Sequence, residues 1–174
     1  MKVKTSKILG LKLIYPLTNF KDQRGRYLET FNKLNYLKIL KKNFVEDDVC
    51  LNTKNVFRGI HGDYSTWKLV SCLYGKCISI IVNNDKKSKL FGKYEKFVLS
   101  PNNYFQILVP PKYGNSFLVT SKYAIYHYKQ TKYYKGQKKQ FTLNVKDPFF
   151  KIKLPNRKLI ISKRDKTAKY LFLK

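Results

Sequence analysis

From residue 68 onward the chain is a succession of short segments rich in Val, Ile, Tyr and Phe, separated by polar or turn-forming breaks. No other feature constrains the fold as strongly. KLVSCLYG ends at Gly75, CISIIVNN runs into the turn-like NNDKKS, and KYEKFVLS stops at Pro101. NYFQILVPP, NSFLVTS, AIYHYKQT, QFTLNV and FKIKLP follow. Branched and aromatic side chains suit a pleated sheet, and breaks every ~8–12 residues mark antiparallel sandwiches and barrels. The expectation is an all-β fold, a small barrel or jelly roll with one or two helices. The N-terminal MKVKTSKILGLKLIYPL reads as a first strand: Lys12 interrupts its apolar stretch, no small-residue cleavage site follows, and no run reaches the ~18 apolar residues of a membrane span. ETFNKLNYLKILKKNF (residues 29–44) breaks the pattern, since Phe31, Leu34, Leu37 and Leu40 recur at three-residue steps and predict a short amphipathic helix.

The 174 residues suit a single domain over 1–174, with 43% hydrophobic residues to build a core. The net charge of +27 first suggests a polyanion partner, yet only five of the 37 basic residues are Arg, at 24, 26, 58, 157 and 164. Base reading and phosphate clamping favour the planar guanidinium fork, so scattered Lys reads as a solvated surface and no nucleic-acid partner is expected. Cys50, Cys72 and Cys77 lack metal-ligand spacing and are expected to be reduced thiols, buried, in a cytoplasmic protein.

With His61 and His127 its only histidines and no H-x-H pair, the chain is not expected to hold a metal. It has no G-x-S-x-G run, which leaves proton transfer as the chemistry to look for. His61 stands in VFRGIHGDYSTWKLV, in what reads as a loop-like segment whose glycines would let a substrate approach the backbone. An ordinary half-buried strand histidine is the alternative. In AIYHYKQ, alternation sets Tyr126 and Tyr128 on one face and His127 on the other; inward tyrosines would leave His127 on the surface.

A set of motifs in order goes further: FKDQRGRYLETF (20–31), NVFRGIHGD (55–63), WKLV (67–70), SKLFGKYEKFVLS (88–100), ILVPPKYGNSF (107–117), YHYKQTKYY (126–134) and ISKRD (161–165). Through nearly its whole length the chain resembles the nucleotide-sugar 3,5-epimerases typified by dTDP-4-dehydrorhamnose 3,5-epimerase. The resemblance implies a cupin jelly roll, a homodimer, no metal or cofactor, and a nucleoside-diphosphate 4-keto-6-deoxy sugar as substrate. It implies His61 as base, Asp165 on its other ring nitrogen, Tyr128 as the acid on the opposite face, and Lys68 as stabiliser of charge on the C4 oxygen. Arg24 and Arg58 match positions that contact the diphosphate, and Glu29 and Asn115 are further substrate-binding candidates.

Two departures bear on the substrate. Asn115 stands where the family usually has a histidine and cannot titrate, and Arg26 stands where an aromatic is usual. RGIHGD with VPPKYGN looks more like the branch acting on GDP-4-keto-6-deoxy-heptoses for capsule or other surface polysaccharide. Glu46, Asp47 and Asp48 fall where rhamnose-type enzymes carry uncharged nucleotide-contacting side chains, and one of them, with Asp47 as the candidate, would read guanine; a solvated acidic turn is the alternative. Inversion at C3 alone or at C3 and C5, a 3,4-ketoisomerase, and a silent cupin binding nucleotide or polyanion all stay open at this point.

Overall fold

The computed structural model describes residues 1–172, and it is built around two strands far longer than the rest. β1 (Lys2–Thr5), β2 (Lys12–Tyr15), the hairpin β3 (Asn19–Asp22) and β4 (Gly25–Leu28), and the helix α1 (Lys33–Leu37) precede β5 (Glu46–Thr53) and β6 (Val56–Gly62). Then come β7 (Lys68–Asn83), β8 (Tyr94–Leu99), β9 (Gln106–Val109), β10 (Tyr113–Gln130), a single 3-10 turn, β11 (Phe141–Thr142), β12 (Ile160–Ile161) and α2 (Lys163–Lys166).

β7 and β10 pair antiparallel along almost their whole length, with the register shifting between Val119 and Ala124. Their first and second halves serve two different faces of a jelly roll. One face runs β5–β10–β7–β9–β2–β1; the other runs β8–β7–β10–β6, with β11 and β12 on β6. KLVSCLYG and CISIIVNN are therefore one strand, not two. Gly75, φ +73, kinks it where a Cβ would meet the Tyr123 carbonyl at 2.0 Å, so this glycine marks a bend within a strand and not its end.

Alternation explains the packing. Cys77 and Ile81 face the barrel interior with Val70, Ile107, Phe117, Val119 and Tyr126, while Ile80 and Val82 face outward onto Phe57, Ile60, Leu118, Leu143, Val145 and Phe150. Both faces of β7 are buried, which is why CISIIV is a continuous apolar run. Residues 150–155, expected as a strand, form none; they belong to the irregular C-terminal segment that covers this outer face.

The expected helix over 29–44 shrinks to five residues, capped by Asn32, whose side chain accepts from Asn35 N–H. Steps of three fall short of the 3.6-residue turn, so the four apolar residues cannot share one face. Tyr36 and Leu40, four apart, are buried with Ile14, Leu69 and Leu108, and Leu34 is 74% exposed. Among the described residues no helix is long and apolar enough to cross a membrane. All three cysteines are unpaired, with Cys72 and Cys77 buried.

Glu95 on β8 pins the N-terminal turn, accepting from the backbone N–H groups of Lys7 and Leu9, each at 3.1 Å. Glu95→Ala leaves the buried Leu9 donor unpaired and is expected to cost about 2 kcal/mol. Thermal unfolding followed by circular dichroism should then show a midpoint lower by about 4–8 °C.

Candidate active site

A cavity of about 860 Å³ opens at one end of the barrel, and β5, β6, β7, β10 and the segment around α2 line it. The loop-like segment around His61 is strand β6. Its Phe57 and Ile60 anchor it in the outer cluster, and its Arg58 and His61 face the cavity. The flanking glycines do not admit substrate. A Cβ on Gly59 would lie 2.6 Å from Ser116 Cβ, and one on Gly62 2.3 Å from the Tyr113 carbonyl. They let β10 and the Phe141 ring close on β6, which holds His61 in register opposite Asn115.

Asp165 reaches His61 from 104 residues away in sequence: its Oδ1 lies 2.6 Å from His61 Nε2. Ser162 caps α2, accepting from Asp165 N–H, and its hydroxyl donates to Asp165 Oδ2 at 2.8 Å. Gly59 N–H donates to the same oxygen. Burial pushes the Asp165 carboxyl up, but its hydrogen bond to His61 and the histidine's charge, with Ser162 and Gly59, bring it below the ordinary carboxylate value. An ionised Asp165 fixes the proton on Nε2, which leaves Nδ1 as the nitrogen able to accept one.

Tyr126 and Tyr128 share one face, as alternation predicts, and that face is the inner one. Tyr126 is fully buried, stacks on Phe117 at 4.0 Å, and donates to Asn115 Oδ1 at 2.9 Å. Asn115 is thereby held at the cavity wall. Tyr128 lines the cavity, and burial, reinforced by Cys50, Asp48 and Glu46, raises its phenol well above the usual value. The group stays protonated at neutral pH and can act as an acid. Lys68 is 8% exposed, with its ammonium 5.4 Å from the centre of the Tyr128 ring. Burial lowers its pKa, while Asp63 and Asp48 oppose that shift. Among the described residues Arg58 hydrogen-bonds through Nε alone, donating to Asn52 Oδ1 at 2.7 Å.

His61, Asp165, Tyr128, Lys68, Arg58 and Asn115 thus meet in one cavity. Three other candidates stand outside it. Arg24, at the tip of the β3–β4 hairpin, is 84% exposed in its side chain and pairs with Asp22. Glu29 accepts from Asn32. Asp47 lies on the outer face of β5, where it binds His127 at 2.5 Å and also Lys129. That contact corrects the expectation for His127: it faces away from the tyrosines but is 6% exposed, closed in by Asp47 and Ser71. The outer face of this sheet is covered there, which alternation alone does not reveal.

Asn52, Gln130, Gln140 and Arg164 line the wall and escaped the sequence reading, while Glu46 and Asp48, named there together with Asp47, are the two of that trio that face the cavity. Alternation around Asp47 and the place of Arg164 beside Asp165 were the signals available. Arg164 is fixed by Thr142 and Gln140. No group of three His, Cys, Asp or Glu side chains suited to a metal converges among the described residues.

A jelly-roll barrel holding a histidine–carboxylate pair, a protonated tyrosine and a buried lysine in one mouth defines a cupin of the sugar-epimerase class. The chain belongs to the family described as dTDP-4-dehydrorhamnose 3,5-epimerase, whose profile matches residues 5–172. It is 38% identical over 120 residues to the enzyme of that name from Escherichia coli (strain K12), an alignment covering 66% of this chain and 65% of that enzyme. It is 31% identical to the one from Shigella flexneri, covering 88% of this chain and 87% of the relative. Among solved structures, the dTDP-6-deoxy-D-glucose-3,5-epimerase of Legionella pneumophila Philadelphia 1, in complex with dTDP-4-keto-L-rhamnose, superposes with a TM-score of 0.90 at 30% identity, covering 97% of this chain and 92% of that one.

The depressed Asp165 carboxyl stabilises the fold above the unfolded-state value of about 3.8, and that contribution is lost as pH falls through the lower folded value. Asp165→Asn is expected to reduce urea-unfolding stability by about 1–3 kcal/mol at pH 7. The gap between the two proteins should close progressively below pH ~4.

Proposed function

We propose that the protein is an epimerase that inverts C3, and C5 where the ring can reorient, of a nucleoside-diphosphate 4-keto-6-deoxy sugar. The observation that carries this reading is His61 hydrogen-bonded to a buried, ionised Asp165 in the same cavity as a protonated Tyr128 and a buried Lys68. A ketone at C4 acidifies the hydrogens on C3 and C5. His61 Nδ1 takes one of them, and the resulting imidazolium is stabilised by Asp165. The negative charge moves to the C4 oxygen beside Lys68, whose ammonium is worth more there than in water because the site is buried. Tyr128 returns a proton to the other face. The base then releases its proton to solvent, and the phenol regains one. Arg58, whose terminal nitrogens make no hydrogen bond or ion pair among the described residues, and Arg164 suit a diphosphate.

The same reading makes the protein a homodimer. Arg24 lies on an exposed hairpin outside its own cavity, so a diphosphate contact by Arg24 requires a partner copy. β5 is an edge strand whose Val49 and Leu51 are 62% and 69% exposed, a face suited to such a partner. Unpaired cysteines and a nucleotide-sugar substrate fit a cytoplasmic enzyme supplying surface polysaccharide. The guanine reading loses its support at Asp47, which faces away, and thymidine and guanosine forms of the substrate are the pair to compare.

In heavy water with the 4-keto sugar nucleotide, proton NMR should show deuterium entering C3, and C5 if both centres react. His61→Ala should abolish that exchange and leave nucleoside-diphosphate affinity nearly unchanged; persistent exchange would remove His61 from the role of base. Arg24→Ala and His61→Ala proteins, each impaired alone, should regain activity when mixed and allowed to exchange subunits. No recovery would place Arg24 outside the partner's site.

A further inference from the structure

The hairpin of β3 and β4 is a two-stranded sheet of its own, paired with no strand of the barrel. Two strands alone are marginally stable in water, so its place on the molecule must be held by side chains. Alternation divides them. Phe20 and Tyr27, opposite each other in register, are 69% and 65% exposed. Arg26 and Leu28 turn the other way, toward the loop of residues 100–105, where Leu28 lines a small apolar cavity with Pro101 and Tyr104.

Arg26 supplies the grip. Its Nη1 donates to the Pro101 carbonyl at 2.9 Å, and its guanidinium lies over the Tyr104 ring, 4.8 Å from the centroid. Among the described residues this is the one hydrogen bond from either strand of the hairpin to the rest of the chain. The receiving loop is itself fixed: Ser100 N–H donates to Asn103 Oδ1 at 3.0 Å, and Tyr104 N–H donates to the Ser100 carbonyl at 3.2 Å. Tyr104 has φ +32, a left-handed conformation that is costly for a residue with a side chain and persists where its surroundings enforce it. Across the hairpin Arg26 faces Lys21, and like charges placed opposite each other weaken a strand pair. The arginine therefore contributes through the loop it grips and not through the hairpin itself.

Arg24 rides on the same hairpin, with its side chain 84% exposed and paired with Asp22. Where that guanidinium stands depends on how the hairpin is held. We propose that Arg26 is a positioning residue: by clamping the hairpin to the 100–105 loop it keeps Arg24 at the place from which it contacts the diphosphate in a partner copy. The inference rests on the epimerase reading, in which Arg24 serves the partner's cavity. It assigns Arg26 to the inner side of the hairpin and not to the substrate. A guanidinium and an aromatic ring can each stack on Tyr104, which accounts for an arginine where an aromatic is usual.

Calorimetry tests this, with dTDP and GDP titrated separately and the tighter of the two kept as the probe. A hairpin that is in place only part of the time lowers affinity by the fraction in place, so Arg26→Ala should bind the probe about 3- to 10-fold more weakly. Arg26→Phe, which can stack on Tyr104, should recover most of that loss. Arg24→Ala should weaken binding about 10-fold, and Arg24→Ala/Arg26→Ala should bind no more weakly than Arg24→Ala alone. The thermal midpoint of Arg26→Ala should stay within about 2 °C of the unsubstituted protein, while the amides of residues 19–28 exchange faster with heavy water. Unchanged affinity in Arg26→Ala overturns the proposal, as do losses that multiply in the double variant, an unchanged affinity in Arg24→Ala, or binding of neither nucleotide. Turnover is not read in these titrations. Absent deuterium exchange with the 4-keto sugar therefore fails the epimerase assignment alone, and absent coupling between positions 24 and 26 fails the role of Arg26 alone.

Discussion

The antiparallel pairing of β7 with β10 is the contact on which everything else depends. Each strand bends near its middle, so one continuous ladder contributes to both faces of the barrel. The second half of β10 carries Tyr128 and Gln130, the first half carries Asn115, and β7 begins at Lys68. Groups that serve opposite parts of the cavity are therefore set by one register. A one-residue slip would send Tyr128 outward and His127 inward. The Phe117–Tyr126 stack and the Tyr126–Asn115 hydrogen bond tie the two halves of β10 together beneath the cavity floor.

A second layer of order comes from how the chain distributes its charges. Its 37 basic residues face only ten acidic ones, so each carboxylate has an ample choice of cations. Those on the surface take one, as Asp22 and Asp85 do. In the cavity the pairing is selective: Asp165 binds a histidine and not a lysine, and Asp48 shares an amide with Glu46. The electrostatics of the site thus differ in kind from those of the surface around it, and the large net charge says little about the chemistry.

Much of this was readable from the sequence, and the failures have physical causes. The all-β class followed from strand spacing, and the shared face of Tyr126 and Tyr128 followed from alternation, though not that this face is the inner one. Gly75 looked like a strand end because a glycine that bends a strand and one that stops it read alike. Gly59 and Gly62 suggested room for substrate, whereas their missing side chains make room for β10 and Phe141. Alternation across Glu46, Asp47 and Asp48 shows that the middle residue opposes its neighbours but not which face is inside; only the register with β10 settles that. Arg24 was matched by motif, and its place on a hairpin outside the cavity is a tertiary fact no local pattern contains.

The union of His61 with Asp165 spans 104 positions, and the carboxylate arrives on the segment that docks last along the chain, with β12 lying parallel on β6 beneath α2. During synthesis the barrel strands through β10 can pair while that segment is still being made. The histidine then sits in a formed strand without the group that sets its tautomer. Completion of the His61–Asp165 pair thus comes with the same segment that covers the outer face of β7, and a nascent chain can bury only the cluster inside the barrel before both are in place.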